Sequence, residues 1–315
     1  MPIRDEAALA VPVVAVVGAT ASGKSALALD VAAALRGEIL NTDAMQVYRG
    51  MDIGTAKLGV QERRGIPHHL LDLFEIDEVA SVGEFQQRAR CVIDDCRGRG
   101  ITPVLVGGSA LYTRAILDRF EFPGTDPDVR ARWQQRLDDI GSAALHRELA
   151  ERDPEAAERI EPNNGRRIVR ALEAIELTGR PFSASLPKLE YQISGAVQIG
   201  VRIPREELER RIEQRVDEMF AAGLVDEVRG LERRGLRDAL TASVALGYQQ
   251  VLAYLAGEIT EAEAKAQTVR ATRRFARRQD SWFHKDPRII WVDHDDPDRL
   301  AKSLSAIRHE LECPV

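Results

Sequence analysis

Apolar runs and amphipathic stretches alternate through the first third of the chain. Three short runs, rich in β-branched and aliphatic residues, have the length of buried strands: residues 11–17, 38–40 and 101–106. Two stretches between them have helical composition: residues 25–35 and 81–97. Strand, helix, strand, helix and strand in that order predict a parallel α/β sheet.

The pattern changes near residue 122. From there to about residue 194 the chain is charged and helical, without a clear strand. Two strand patterns and two long helical patterns follow: 197–203 and 288–293, and 205–234 and 260–284, respectively. These patterns predict an α/β core interrupted by a helical insertion. The predicted limits are 1–121 for the first part of the core, 122–196 for the insertion and 197–315 for the second part of the core.

A phosphate-binding motif lies at the first predicted junction between a strand and a helix. Residues 18–25 read Gly-Ala-Thr-Ala-Ser-Gly-Lys-Ser and match the P-loop pattern in full. Glycines let backbone N–H groups face phosphate oxygens, and the N-terminus of the following helix adds positive potential. We expect Lys24 to neutralise the terminal phosphates and the Ser25 hydroxyl to hold Mg²⁺. The predicted diphosphate-binding residues of this loop are Gly18, Thr20, Ala21, Ser22, Gly23, Lys24 and Ser25.

The P-loop by itself does not identify the phosphate compound, and ATP would also suit it. An ATP-hydrolysing enzyme usually has an Asp at the end of a neighbouring apolar strand, where it helps to hold Mg²⁺. Here the strand ends in Gly107, Gly108 and Ser109, so a hydroxyl takes that place. Asp293, at the far end of the chain, is interpreted as an ordinary strand end. This pattern disfavours a motor or switch ATPase.

Composition limits the possible partners. The net charge is −6, whereas a protein that coats nucleic acid through its overall charge would be basic. Any RNA contact must therefore use local basic patches, at residues 166–170 and in an arginine stripe on one helix face at 270–278. No apolar run approaches the ~20 residues of a membrane helix. We expect a cytoplasmic protein that is a monomer and does not bind membranes.

Residues 43–57 are far more specific than the P-loop. They read Asp-Ala-Met-Gln-Val-Tyr-Arg-Gly-Met-Asp-Ile-Gly-Thr-Ala-Lys, and together with the P-loop they resemble the tRNA dimethylallyltransferase family, also called tRNA isopentenyltransferases. Further matching segments follow in the order of the family: 68–72, 107–112, 126–130, 166–173, 211–215, 247–248 and 273–282. The resemblance thus extends over nearly the whole chain.

The resemblance implies an activity. Members of this family transfer a dimethylallyl group from dimethylallyl diphosphate to N6 of the adenosine 3′ to the anticodon, at position 37. Their substrates are tRNAs that read codons starting with U. Pyrophosphate leaves, and Mg²⁺ is required. The implied fold is a P-loop core with a helical insertion that binds the tRNA anticodon stem-loop.

The resemblance also implies roles for single residues. Asp43 would accept an N6 proton as a general base, because the adenine amino group is a weak nucleophile. Ser109, where the family usually has Thr, would hydrogen-bond the departing diphosphate, and Arg215 would take up its charge. The expected tRNA contacts are Asp43, Ala44, Met45, Gln46, Ser109, Arg130, Arg166, Arg167, Ile168, Val169, Arg170, Gly247, Tyr248, Arg273, Arg274, Arg277 and Arg278. Gln46 suits an adenine edge, whereas Ala44 lacks the hydroxyl of the Ser that the family usually has.

Three other functions remain open at this stage. An adenylate isopentenyltransferase would share the P-loop, Asp43 and Ser109, but would alkylate a free nucleotide. The helical insertion and the arginine stripe favour a polynucleotide acceptor instead. A small-molecule kinase is disfavoured by the missing strand-end Asp, and a non-catalytic RNA-binding protein by the intact Lys24 and Ser25. The phosphorus product separates them, because both transferases release pyrophosphate, a kinase releases ADP and a binding protein releases neither.

Overall fold

The computed structural model describes residues 11–120, 122–185 and 189–312. Its centre is a six-stranded parallel sheet in the spatial order β3-β2-β4-β1-β5-β6. The strands are β1 Val13–Val17, β2 Gly37–Asn41, β3 His68–His69, β4 Thr102–Gly107, β5 Ala196–Arg202 and β6 Ile289–Asp293. The predicted parallel α/β class is confirmed. β3 was not predicted, because two residues are too few to show a strand pattern.

β1 shows why the central strands are continuous apolar runs. All five of its residues are buried, because helices cover both faces of the sheet. Side chains alternate along a strand, so Val13, Ala15 and Val17 belong to one hydrophobic cluster. Val14 and Val16 belong to the cluster on the opposite face.

Twelve α-helices occur in the described part of the chain. They are α1 Lys24–Leu35, α2 Val82–Gly98, α3 Ala110–Leu117, α4 Pro127–Ile140, α5 Ser142–Arg152, α6 Pro154–Arg159, α7 Gly165–Thr178, α8 Arg205–Ala221, α9 Leu224–Glu232, α10 Tyr248–Leu255, α11 Glu261–Phe283 and α12 Arg299–Glu312. In those same residues, no helix combines the length and the apolar character that crossing a bilayer requires.

The single helix predicted at 205–234 is wrong, because two helices occupy that stretch. α8 ends at Ala221, and Gly223 then adopts a left-handed φ of 100° before α9 begins. Glycine reaches this conformation without the steric cost that a Cβ imposes, so it commonly ends helices. The apolar periodicity continues across the break, and periodicity alone did not reveal it.

Contacts divide the chain into two compact units. One comprises Met1–Leu117 with Tyr191–Val315, and we call it the core unit; the other comprises Asp118–Glu190, and we call it the helical unit. The insertion was predicted at 122–196, so both of its observed limits lie earlier. The later limit is explained by Gln192, whose N–H donates to the Leu117 carbonyl (2.7 Å) and returns the chain to the core unit before β5 starts.

The helical unit has a hydrophobic core of its own, formed by α4 to α7. Leu145, Leu149, Ile168 and Leu172 are buried completely within it. Asp126 caps the start of α4 by accepting N–H groups of Asp128 and Val129 at 2.9 and 3.0 Å. A unit with its own core and its own caps has the elements required to fold as a domain.

Candidate active site

A cavity of about 380 Å³ lies in the core unit, beyond the carboxyl ends of the central strands. This is where open α/β sheets bind ligands. The P-loop follows β1, Asp43 follows β2 and Ser109 follows β4, and these three strands are neighbours in the sheet. The cavity is lined by Thr20, Asp43, Ala44, Met45, Gly54, Thr55, Ser109, Ile212, Arg215, Val216, Met219, Val244, Ala245, Leu246, Thr268, Thr272, Phe275 and Arg278. The structure therefore brings Asp43, Ser109 and Arg215, far apart in sequence, to one wall.

The lysine of the P-loop hydrogen-bonds to the backbone of the same loop. Lys24 Nζ donates to the Ala19 carbonyl at 3.1 Å. Ala21 holds a positive φ of 62°, a conformation that costs a residue with a Cβ about 1–2 kcal/mol. The Ser22 hydroxyl is buried and has no hydrogen-bond partner among the described residues. Strain and an unpartnered polar group in one loop are typical of a binding site.

Two cations in this site, Lys24 and Arg215, are partly buried and form no ion pair with a described residue. Burial and, to a smaller extent, the nearby Arg215 lower the pKa of Lys24 from 10.5 to about 8, although Asp43 partly opposes both effects. Burial also lowers the pKa of Arg215, whose Nη1 lies 3.3 Å from Thr20 Oγ1. Neither side chain forms an ion pair with any residue that the structure describes. Lys24 in the P-loop and Arg215 beside Thr20 are two half-buried positive charges without such an ion pair, and they make this part of the site favourable for a polyanion.

Asp43 is held so that one carboxylate oxygen is used and the other is open. Its Oδ1 accepts the Met45 N–H at 2.8 Å, and its own N–H donates to Asn41 Oδ1 at 2.8 Å. Asn41 in turn donates to the carbonyls of Asp43 and Leu70, both at 3.1 Å. Within the described residues, Oδ2 of Asp43 has no partner, which leaves it able to accept a proton.

Ser109 lies at the start of α3. Its Oγ is 3.5 Å from the Tyr112 N–H, and its carbonyl accepts the Thr113 N–H at 3.0 Å. As an acceptor at the start of the helix, the hydroxyl keeps its own hydrogen free to donate. Ser109 can thus donate a hydrogen bond to an oxygen bound in the cavity.

The rest of the cavity wall is mostly apolar. Its apolar side chains include Met45, Ile212, Val216, Met219, Val244, Ala245, Leu246 and Phe275, and Thr55, Thr268, Thr272 and Arg278 add polar groups. Ile212 belongs to the cluster that contains Ala19 of the P-loop, whereas Met219, seven residues further along α8, packs against the main hydrophobic cluster. A ligand that suits this cavity has an anionic end at the P-loop and a short hydrocarbon end along α8.

The loop at residues 52–57 forms a wall of this cavity and of a second one of about 630 Å³. The Glu227 carboxylate on α9 accepts the N–H groups of Asp52, Ile53 and Gly54 at 3.1, 2.7 and 3.3 Å, and the Tyr248 hydroxyl at 2.6 Å. A Cβ on Gly54 would lie 2.4 Å from the Tyr248 ring, so only glycine fits there. Glu227 therefore fixes the position of this loop.

Four of the expected tRNA contacts are buried, and a fifth, Gln46, is already hydrogen-bonded within the protein. Tyr248 is buried completely and Gly247 is also buried. Ile168 and Val169 pack inside the helical unit. Their side chains do not face solvent, so any contribution of these residues to RNA binding comes through the backbone or through neighbours that they position. Gln46 Nε2 already donates to the Thr55 carbonyl at 3.1 Å. Bidentate pairing with an adenine edge would use both the NH₂ group and the carbonyl oxygen of this side chain.

The expected arginine contacts of the helical unit fall into two pairs. Arg130 and Arg170 both bind the buried Glu173, at 2.8 and 2.9 Å. Burial alone would raise the pKa of Glu173, but hydrogen bonds from Arg130, Thr125 and Arg170 outweigh burial and lower it. Arg166 and Arg167 are exposed at the start of α7. Of these four arginines, Arg166 and Arg167 are the two that form no ion pair with a described residue.

The arginine stripe lies on α11 in the core unit, as the sequence predicted. Arg273 pairs with Glu213 on α8 at 3.2 Å, and Arg277 lies 3.9 Å from Glu209. Arg274 and Arg278 are exposed, and Arg278 also lines the cavity. The stripe thus continues into the site.

Sequence reasoning missed Glu227 and Gln279. Glu227 is one of several acids on α9, and its role depends on a loop more than 170 residues away. Gln279 binds the P-loop from α11 at a separation of 259 residues. Neither has a local sequence signal, because both roles depend on tertiary structure.

Comparison with known proteins shows consistent relatives. The model of a family described as IPP transferase matches residues 46–286. A tRNA dimethylallyltransferase from Nocardioides sp. is 62% identical over 301 residues, covering 96% of this chain and 97% of the relative. One from Thermobifida fusca is 58% identical over 94% of both chains. Among solved structures, a tRNA isopentenylpyrophosphate transferase from Bacillus halodurans matches with a TM-score of 0.70, 39% identity and coverage of 96% and 97%. A eukaryotic dimethylallyltransferase acting on tRNA matches with a TM-score of 0.82 and 25% identity, covering 96% of this chain and 79% of that one.

Proposed function

We propose, from the premise that this chain belongs to the IPP transferase family, that it transfers a dimethylallyl group from dimethylallyl diphosphate to tRNA. The acceptor is N6 of adenosine 37, next to the anticodon, in tRNAs that read codons starting with U, and pyrophosphate is released. One observation carries this proposal: Asp43, Ser109, Thr20 and Arg215 line one cavity together with a group of apolar side chains from α8, α11 and residues 244–246. A proton acceptor, a hydrogen-bond donor, a polyanion site and a hydrocarbon site are the parts that prenyl transfer to an amine requires.

The positive end of the cavity binds the diphosphate. Lys24 and Arg215 are already in place and form no ion pair with described residues, so little reorganisation is needed when charge develops on the leaving group. The Ser109 hydroxyl donates to the oxygen between the prenyl group and the phosphorus. Stabilising that oxygen favours breakage of the carbon–oxygen bond.

Asp43 supplies the base. The N6 lone pair is delocalised into the adenine ring, so attack is easier if one N–H proton moves to a carboxylate as the new bond forms. The N6–C1 bond forms, the C1–O bond breaks, pyrophosphate leaves with the electron pair, and the proton passes to Asp43. The open oxygen Oδ2 is the acceptor, because Oδ1 is held by Met45.

Mg²⁺ fits the donors present. The Ser25 hydroxyl at the start of α1 forms no hydrogen bond with residues in the described ranges, and an oxygen ligand of this kind suits Mg²⁺. Ser25 would hold the ion beside the P-loop, and the diphosphate would provide further oxygen ligands. When bound, Mg²⁺ neutralises charge on the leaving pyrophosphate.

The acceptor base must leave its stack to reach the cavity. Arg274 and Arg278 on α11 and Arg166 and Arg167 on α7 suit the phosphates of the anticodon stem-loop. Binding should then weaken with salt, with a slope set by the number of phosphates neutralised. Titration of a labelled stem-loop between 50 and 300 mM salt, about a sixfold range, measures this slope. An affinity that does not change with salt concentration would show that these arginines do not bind the phosphates of the stem-loop.

The deciding experiment uses labelled dimethylallyl diphosphate and Mg²⁺ with an anticodon stem-loop that has adenosine at position 37. Free AMP, and a stem-loop with guanosine at that position, are tested in parallel. Label in the adenosine stem-loop alone supports the proposal. Label in AMP alone would identify a free-nucleotide transferase. Label in neither acceptor, with ADP formed from ATP, would identify a kinase.

A further inference from the structure

Gln279 on α11 connects two loops of the cavity. Only 6% of its surface is exposed. Its Oε1 accepts the Thr20 backbone N–H at 2.9 Å, and its Nε2 donates to the Gly108 carbonyl at 2.8 Å. Both polar atoms of one buried amide are therefore used, one on each loop.

The two loops are the ones that carry the reacting groups. Thr20 is part of the P-loop after β1, and Gly108 directly precedes Ser109 after β4. β1 and β4 are neighbours in the sheet, and Thr20 and Ser109 both line the cavity. The Gln279 amide thus spans the gap between the polyanion site and the hydroxyl that donates to the leaving oxygen.

Gly108 makes this connection possible. A Cβ at position 108 would lie 2.1 Å from Gln279 Nε2, a distance at which one of the two must move. The absence of a side chain at Gly108 and the presence of an amide at Gln279 are complementary. To bind the Thr20 N–H and the Gly108 carbonyl at the same time, the side chain at position 279 must accept one hydrogen bond and donate another, and an uncharged amide does both at neutral pH.

We infer that Gln279 is a positioning residue that sets the separation between the P-loop and Ser109. The inference rests on the proposed transfer reaction and adds to it a residue that does not touch the substrates. Displacement of a reacting group by about 1 Å can lower a rate by about 10²-fold. Since α11 also carries Arg274 and Arg278, the helix that meets RNA is the one that holds the two loops in register.

The first test is Gln279→Ala. We expect kcat for transfer to fall by at least about 10-fold, because both loops lose their connection. The dissociation constant for the stem-loop should change less than about twofold, because the arginine side chains remain.

The matched control is Gln86→Ala. Gln86 is also buried, at 8% exposure, and donates to the Ala115 carbonyl at 2.6 Å, but it does not line the cavity. This control should lose a similar amount of thermal stability and keep its kcat.

The second test is Gln279→Glu, read as a pH profile. An ionised Glu accepts from Thr20 but presents an oxygen to the Gly108 carbonyl, whereas a protonated Glu restores both hydrogen bonds. The ratio of its kcat to that of the wild type, measured at each pH, should therefore rise as the pH falls from 8 to 6. A residue that contributes only stability would give a constant ratio.

Pyrophosphate affinity, measured by calorimetry, separates this inference from the proposed reaction. If Gln279 holds the P-loop, Gln279→Ala should weaken pyrophosphate binding at least about fivefold, a change that does not depend on any transfer step. Absence of label transfer by the wild-type protein would refute the reaction alone. Unchanged pyrophosphate affinity and kcat in Gln279→Ala, or a pH-independent ratio for Gln279→Glu, would overturn the role of Gln279.

Discussion

Lys24 carries its charge in a partly buried position, where water solvates it less well than in the unfolded chain. Its pKa in the folded protein is about 8 and its ordinary value is 10.5, so the unfolded chain binds more protons between these values. Stability that depends on this group therefore rises with pH across that window and is lowest where Lys24 is fully charged. We predict that Lys24→Met stabilises the protein at pH 7 by up to about 3 kcal/mol, an advantage that shrinks towards pH 10. Urea unfolding at both pH values measures it, and pyrophosphate binding should be lost in the same variant. A destabilised variant would show that Lys24 is compensated in the fold.

The role proposed for Asp43 can be tested with a substitution that removes its carboxylate and keeps the loop conformation. In Asp43→Asn the side-chain oxygen still accepts the Met45 N–H, so the local conformation should hold. The amide cannot take up a proton, and single-turnover transfer should slow by about 10²–10⁴-fold. Stem-loop affinity, measured without donor, should remain within about threefold, since few charges change. Normal turnover in this variant would exclude Asp43 as the base.

At the scale of elements, the positions of loops depend on single polar side chains from distant helices. Glu227 on α9 accepts four hydrogen bonds that hold residues 52–54 and Tyr248. In Glu227→Gln an NH₂ group faces these donors, and the unfolding free energy should fall by about 1–3 kcal/mol. The dissociation constant for pyrophosphate should rise, because the loop lines the cavity. Asp226→Asn on the same helix is the control; Asp226 is exposed, so loss of its surface pair with Arg229 should have no measurable effect. Equal results for the two variants would contradict a clamping role.

The sequence predicted those elements whose signals are local. A buried strand followed by a P-loop is a contiguous pattern, and it predicted β1 and α1. A contiguous apolar run predicted β4, and a contiguous helical stretch predicted α11. β3 was missed because it has two residues, and the break at Gly223 because apolar periodicity continues through it. Asp43, Ser109 and Arg215 were assigned through resemblance, and their meeting on one wall required the strand order. Glu227 and Gln279 were missed because each acts on a loop remote in sequence.

At the scale of the whole molecule, we expect the core unit to bind pyrophosphate and the helical unit to add affinity for RNA, and removing the helical unit tests this division. Every residue that lines the cavity belongs to the core unit. Leu117 and Gln192, which flank the helical unit, are joined by a hydrogen bond of 2.7 Å, so the cut ends already adjoin.

We predict that replacing residues 118–190 by a short Gly/Ser linker leaves a folded core that binds pyrophosphate within about threefold of the full chain, because a short flexible closure adds little entropy cost. Stem-loop affinity should fall by more than about tenfold, because Arg166 and Arg167 are lost with the helical unit. The matched comparison is the full chain with Arg166→Ala and Arg167→Ala, which keeps the helical unit and should reproduce most of the loss in RNA affinity. Loss of pyrophosphate binding in the shortened chain, with the double variant unaffected, would mean that the helical unit supports the catalytic cavity and does not serve RNA alone.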